Sequence, residues 1–358
     1  MLRAVIADDS GVMRELLTKI LESGNVDVVA RAEDGHEAVE SILTHEPDVA
    51  TVDIEMPGLD GIEVIERVME TNPTPILVVS ALTERGADAT FDALEAGAID
   101  FFTKPSGHLS VDIWSKRDEI LEKLEVVAKA DLTAADRGES PAESGADGDA
   151  SQAATGPTVD EAFPNDPTLV VGASTGGPRV VERVLAELPI EGGLRILVVQ
   201  HMADHYTSRF ATRLNRRTEY EIREASDGDT VGPGEARLAK GGTHLAVTRC
   251  RNGTLTVTND TGPQRHNVRP AIDVTMETVA ETVTGNLVGV ILTGMGADGA
   301  AGISAIKAAG GKTIVQDEET SRIFGMPEKA IETGDVDMVL PEDRIAEGIT
   351  NAFEGWSA

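Results

Sequence analysis

The chain has 358 residues, long enough for two or three domains, and its 41% hydrophobic content can build real cores. Sixty-two acidic residues against 31 basic ones leave a net charge of −31, a surface that repels nucleic acid and anionic lipid, so both are set aside as partners. The acid is spread along the whole chain, which favours adaptation to a salt-rich cytoplasm over one acidic binding site. Cys250 is the only cysteine, so no internal disulfide forms; it sits in T-R-C-R within an expected strand and reads as structural filler. No apolar run approaches the ~20 residues of a membrane span, and the first residues lead into a strand rather than a signal peptide. A cytoplasmic protein without membrane insertion, and monomeric, is expected.

In chain order, residues 3–7 form a short apolar strand, and 11–23 carry Val12, Leu16, Leu17, Ile20 and Leu21 at helical spacing. Strand-like runs recur near 26–32, 48–53, 75–80 and 98–102. Helical patterns occupy 35–45, 61–70 and 86–96. Residues 112–129 add a helix with Ile113, Ile120, Leu121, Leu124 and Val127 on one side. Such alternation predicts a parallel sheet covered on both faces, a doubly wound, flavodoxin-like α/β domain. Composition changes near 131: the stretch to 166 is rich in Ala, Gly, Ser, Pro, Asp and Glu, with Arg137 its single basic residue. It reads as an acidic flexible linker. The βα pattern resumes at 168–172, 194–199 and 287–292, predicting a second, Rossmann-like doubly wound domain. Residues 236–258 alternate and contain K-G-G-T and R-N-G-T, both read as hairpin turns. The boundaries are placed at 1–126, 127–166 and 167–358.

Chemistry-bearing residues collect at the expected strand ends. In the front domain Asp8 and Asp9 follow the first strand, Asp53 ends the third, Ser80 the fourth, and Lys104 follows the fifth. In a doubly wound sheet these ends meet at one cleft. Three carboxylates together repel one another, and Mg²⁺, which prefers oxygen ligands, relieves that. Asp53 is the natural nucleophile toward a phosphoryl group, with Lys104 and Mg²⁺ stabilising the added charge and Ser80 sensing it. Isolated acidic loops are common in so acidic a chain; the ordered set across five units is what carries the reading.

In the rear domain G-A-S-T-G-G-P places Ser174 on a glycine-flanked strand-to-helix turn. His201 follows the next strand in V-V-Q-H-M, and Asp298 lies in L-T-G-M-G-A-D-G after a third. A serine nucleophile needs a base, and the base needs a carboxylate to orient it. The helix N-terminus after Ser174 and the Met295 N–H suit an oxyanion. A glycine-rich turn alone equally fits phosphate binding, but neither G-x-G-x-x-G nor a P-loop lysine is present. His205, His244 and His266 are alternative bases, His244 expected in a turn and His266 on an exposed loop. The histidines lack zinc-type spacing with a nearby acid, so no catalytic-domain cofactor is expected.

Over residues 1 to about 126, the order D-D, D, S, K-P and the segment D-I-E-M-P-G-L-D-G resemble the receiver domain of response regulators. The resemblance implies that Asp53 accepts phosphate from a chemotaxis histidine kinase, that Asp8, Asp9 and Asp53 hold Mg²⁺, and that Phe101 is the switch aromatic. The rear motifs, with P-G-E-A-R-L-A at 233, R-P-A-I-D-V at 269, Q-D-E-x-T at 316 and F-G-M-P at 324, resemble the chemotaxis protein-glutamate methylesterases. That implies Ser174 as nucleophile, His201 as base and Asp298 as its orienter, with Thr175 and Met295 by the oxyanion. The implied reaction is hydrolysis of glutamate γ-methyl esters on methyl-accepting chemoreceptors, activated by phosphorylation, with deamidation of receptor glutamines through the same acyl-enzyme. The rival readings are a phospho-switch adaptor that has lost catalysis and an esterase for small molecules.

Overall fold

Parallel strands buried on both faces dictate the architecture. In this computed structural model the residues described are 1–81, 84–104, 113–132 and 166–354; the region read as the linker lies almost wholly outside them. The chain divides into two compact units, Met1–Leu132 and Thr133–Ala358.

The first unit has five parallel strands, β1 (Leu2–Ala7), β2 (Val26–Ala32), β3 (Val49–Asp53), β4 (Ile76–Ala81) and β5 (Asp100–Lys104). Their order is β2-β1-β3-β4-β5, the flavodoxin-like arrangement. The intervening helices are α1 (Gly11–Ser23), α2 (Gly35–His45), α3 (Gly61–Thr71) and α4 (Glu84–Glu95), and α5 (Arg117–Val127) follows β5. Their starts are chemically marked. Ser10 caps α1, Asp34 caps α2, and Asp60 with Glu63 forms a reciprocal capping box on α3. The expected strand at 98–102 begins two residues later, because Ala98 and Ile99 complete the turn that leaves α4 at Gly97. Val12, counted in the apolar stripe of α1, is exposed, and Met13 is buried in its stead. The stripe of α5 is buried in full, and Val127 belongs to this core, so the unit extends past residue 126.

The second unit holds seven parallel strands in the order β15-β14-β13-β6-β7-β10-β8. β6 (Thr168–Ala173), β7 (Arg195–Gln200) and β13 (Leu287–Ile291) are wholly buried and central. β8 (Glu221–Glu224) and β10 (Glu235–Leu238) lie to one side, β14 (Lys312–Gln316) and β15 (Met338–Leu340) to the other. The order reverses at β6, which makes the carboxyl ends of β13, β6 and β7 the topological switch point. The helices here are α6 (Gly177–Glu187), α7 (Asp204–Arg217), α8 (Ile272–Thr282), α9 (Ala300–Ala308), α10 (Gly325–Glu332) and α11 (Ile345–Glu354).

Most of the alternating stretch at 236–258 enters a separate three-stranded antiparallel sheet of β11 (His244–Arg251), β12 (Thr254–Asp260) and β9 (Thr230–Val231). R-N-G-T is its hairpin: Asn252 and Gly253 both take positive φ, as a tight two-residue turn requires. K-G-G-T is a turn but not a hairpin, since it carries the chain from β10 in the large sheet to β11 in the small one. Cys250 is a free thiol packed at the edge of the core, as its neighbours suggested.

Candidate active site

In the first unit the strand ends do converge. Ligand oxygens of Asp8, Asp9 and Asp53 lie within 4.8 Å of one another. Lys104, arriving on β5, places its Nζ 2.6 Å from Asp53 and 2.9 Å from Asp8. Burial pushes the Asp53 carboxyl up to about 6, against the pull of the Lys104 ammonium and with a push from the Asp8 charge. One ammonium thus pairs with two of the three carboxylates, and the set of hard oxygen donors fits a divalent cation such as Mg²⁺. Ser80 is buried at the end of β4, and its hydroxyl donates to the Gly86 carbonyl at 3.2 Å. Phe101 is buried on β5, with the Lys123 ammonium 5.8 Å from its ring centre.

The second site is built on the three central strands of the large sheet. Parallel register sets Ala173 of β6 beside Gln200 of β7, which brings the following Ser174 and His201 to the same edge. The chain leaves β6 by a sharp turn through Gly176 at φ +77°, where a side chain would be strained and its Cβ would stand 2.9 Å from Arg322. Pro178 in the first turn of α6 suits a helix start. Several bonds lock this turn. Ser174 N–H donates to Thr293 O at 3.0 Å, and Ser174 O accepts from Gly177 N–H and from the Gln200 side-chain amide, each at 2.8 Å. The fully buried Thr293 donates its hydroxyl to Thr175 O at 3.0 Å and accepts from Ile323 N–H at 3.0 Å. Gln316 in turn accepts from Thr293 N–H at 2.8 Å.

His201 Nε2 lies 2.8 Å from Asp298 Oδ2. With the proton on Nε2, Nδ1 carries the lone pair that a general base needs. Asp298 is 2% exposed and also accepts from the backbone N–H groups of Ile272 and Asp273, at 2.7 and 3.0 Å. Burial raises its pKa, but the His201 bond and charge and those two N–H groups outweigh it, so Asp298 is held below the usual carboxylate range. Among the described residues no hydrogen bond joins the Ser174 hydroxyl to His201; such bonds commonly tighten only when substrate binds. Met295 is an exposed apolar residue of the β13 loop, and its N–H meets no protein acceptor among the described residues. Ser174 N–H is already engaged with Thr293 and Gly177 N–H with Ser174 O, which leaves the Met295 amide as a candidate oxyanion donor.

The other histidines separate cleanly. His244 is not in a turn but opens β11, buried, with Nε2 on Pro263 O and Nδ1 accepting from Ala271 N–H. His205 lies in the first turn of α7, beside Asp204. His266 is exposed, as its loop position suggested, and its Nε2 is 2.7 Å from Asp273. The chain thus brings it two buried acids that linear spacing did not reveal. Sequence reasoning missed Asp273, Thr293 and Gln316 as parts of the site. R-P-A-I-D-V and Q-D-E-x-T were recognisable strings, but nothing in them announced which backbone groups they would reach.

A serine elbow, an imidazole and a buried carboxylate at the switch point of a parallel sheet define a hydrolase of the serine class, preceded by a receiver-type domain. The comparisons with known proteins agree. The family described as CheB methylesterase matches residues 169–349, and the response regulator receiver domain matches residues 4–111. A protein of Haloarcula marismortui named protein-glutamate methylesterase/protein-glutamine glutaminase is 49% identical over 98% of this chain and 97% of its own. A Halobacterium salinarum protein of the same name is 49% identical over 99% of each, and one from Pyrococcus abyssi is 40% identical over 99% of this chain and 94% of its own. The crystal structure of the Thermotoga maritima CheB methylesterase catalytic domain is 40% identical and covers 52% of this chain and 98% of that one, with a TM-score of 0.50. The chain belongs to the CheB methylesterase family and carries a response regulator receiver domain in front.

Proposed function

We propose that this protein is a phosphorylation-activated protein-glutamate methylesterase of chemotaxis, acting on methyl-accepting chemoreceptors. The His201–Asp298 pair beside Ser174 at the switch point is the observation that carries this reading. His201 Nδ1 takes the proton as Ser174 Oγ attacks the γ-carbonyl carbon of a glutamate methyl ester. The oxyanion is met by Met295 N–H and the Thr175 end of the helix start. His201 returns the proton to the departing methoxide, and methanol leaves. Water, deprotonated by the same imidazole, then cleaves the acyl-enzyme to free the glutamate and Ser174. A glutamine side chain enters the same sequence with ammonia as the leaving group, which extends the reading to deamidation.

Control rests with Asp53, phosphorylated by a chemotaxis histidine kinase. Asp8, Asp9 and Asp53 would hold Mg²⁺, which supplies charge neutralisation for the phosphoryl group. Lys104 pairs with the added charge, and Ser80 and Phe101 respond to it. A cytoplasmic location follows from these partners. Among the described residues no helix is long and apolar enough to cross a membrane.

The test is methanol release from methylated receptor membranes in high salt with a phosphodonor, comparing wild type with Ser174→Ala. Release that is lost in the variant supports the esterase. Equal, negligible release from both with receptor binding intact favours an adaptor that has lost catalysis. Asp53→Asn is expected to remove only the phosphodonor-stimulated part.

A further inference from the structure

The motif R-P-A-I-D-V has no role in the chemistry above, yet its aspartate is among the most enclosed charges in the molecule. Asp273 is fully buried in the first turn of α8. Neither α8 nor α9 has a side-chain cap from its own N-cap residue, Ala271 or Gly299. Each is instead served by an aspartate belonging to the other. Asp298, immediately before α9, accepts from Ile272 and Asp273 N–H at the start of α8. Asp273 Oδ1 accepts from Gly299 and Gly302 N–H at the start of α9, at 3.0 and 2.7 Å. Two helix starts are thereby locked to each other through two carboxylates, one of which orients His201.

Two side chains reach this pair of buried carboxylates. His266 Nε2 is 2.7 Å from Asp273 Oδ2 and 3.9 Å from Asp298 Oδ1. The Arg265 guanidinium lies 3.3 Å from Asp273 and is also paired with Glu277 on α8. The turn that delivers the imidazole is strained. His266 and Asn267 both have positive φ, +53° and +61°, and the turn closes through a reciprocal Arg265–Val268 bridge. Non-glycine residues rarely adopt this conformation, and such outliers persist where the surroundings demand them.

We propose that Asp273 and His266 are positioning residues for the hydrolytic site: a second carboxylate–imidazole pair, interlocked with the first, that holds Asp298 in line with His201. Neither touches the substrate. Asp273 fixes the start of α9 and hence the loop carrying Asp298, and His266 holds the Asp273 carboxylate through its Nε2. The carboxylate oxygens are engaged by backbone N–H groups, by the two imidazoles and by Arg265.

The proposal rests on the methylesterase reading for its kinetic arm only. The full-length chain is made as wild type, Asp273→Asn, His266→Leu and His266→Gln. The first readout is the far-downfield proton resonance of the His201 Nε2–H···Asp298 bond, which needs no substrate. Asp273→Asn and His266→Leu are expected to shift or broaden it, and His266→Gln, which keeps a donor for Asp273, to restore it. The second is methanol release. Asp273→Asn and His266→Leu should lower kcat about 10–100-fold with KM within about twofold, as misplacement of a catalytic group does. His266→Gln should recover most of the rate. A wild-type resonance and a wild-type kcat in both Asp273→Asn and His266→Leu would overturn the proposal. If Asp273→Asn does not fold, the His266 pair decides, because that ring is about a third exposed and tolerates replacement. A wild type that shows the resonance but releases no methanol would sink the methylesterase reading and leave the resonance arm to decide this one.

Discussion

Three side chains illustrate how burial is turned to different ends. Asp53 is raised to about 6 from an ordinary 3.8, so the unmodified receiver carries an ionised carboxylate at neutral pH at a cost of about 3 kcal/mol. Because its folded pKa lies above the unfolded one, the stability it contributes is complete below about 4 and is lost as pH rises through about 6. Without divalent cations, Asp53→Asn should therefore raise the melting temperature of the first unit at pH 7 and change it little at pH 4; scanning calorimetry at both pH values checks this. Mg²⁺ affinity should fall as pH drops from 7 to 5, because protons and the cation compete for the same oxygen. Asp298 runs the other way and stays anionic through mildly acidic pH. Asp298→Asn should cut kcat by about 10³–10⁴-fold with little change in KM, measured by methanol release. Thr293 joins the serine turn to the loop at 323 through its hydroxyl. Thr293→Val should lower kcat about tenfold or more, and Thr293→Ser should restore it.

At the scale of elements, the loop after β13 is packed to contact. A Cβ on Gly294 would stand 2.6 Å from Met326 Sδ and 2.7 Å from the Ser174 Cβ, so Gly294→Ala must move the nucleophile. Labelling of Ser174 by a serine-directed probe is expected to slow at least tenfold in that variant while the fold, followed by circular dichroism, persists. This packing also explains what could be read in advance. Strands such as β6, β7 and β13 are continuous apolar runs, and a motif at the end of each was visible as text. The positions of Ser174, His201 and Asp298 follow directly from that pattern. The small sheet of β9, β11 and β12 was harder to see: β9 has two residues, and K-G-G-T carries the glycines of a hairpin while serving as a crossing between sheets. His266 could not be placed from its neighbours, because what matters is which helix start its turn faces. Asp273 was hidden for the same reason, since an aspartate in the first turn of a helix ordinarily serves its own helix.

For the whole molecule, a charge of −31 means self-repulsion that salt must screen. The Debye length falls from about 8 Å at 0.15 M to about 3 Å at 1 M, so the melting temperature should climb across that range of KCl and level off beyond it. A flat dependence would argue that the acidity serves a local purpose instead. The large sheet has a temporal consequence. Ser174, His201 and Asp298 stand at the ends of neighbouring strands, yet the chain runs through β8 to β12 and α8 before β13 can be inserted beside β6. Contacts of such sequence separation form slowly, since a long loop must close before they are rewarded. A nascent or half-folded chain therefore presents the serine without its carboxylate and is chemically mute. The onset of serine reactivity during refolding is then a clock for the arrival of β13, and it should lag the recovery of helical signal.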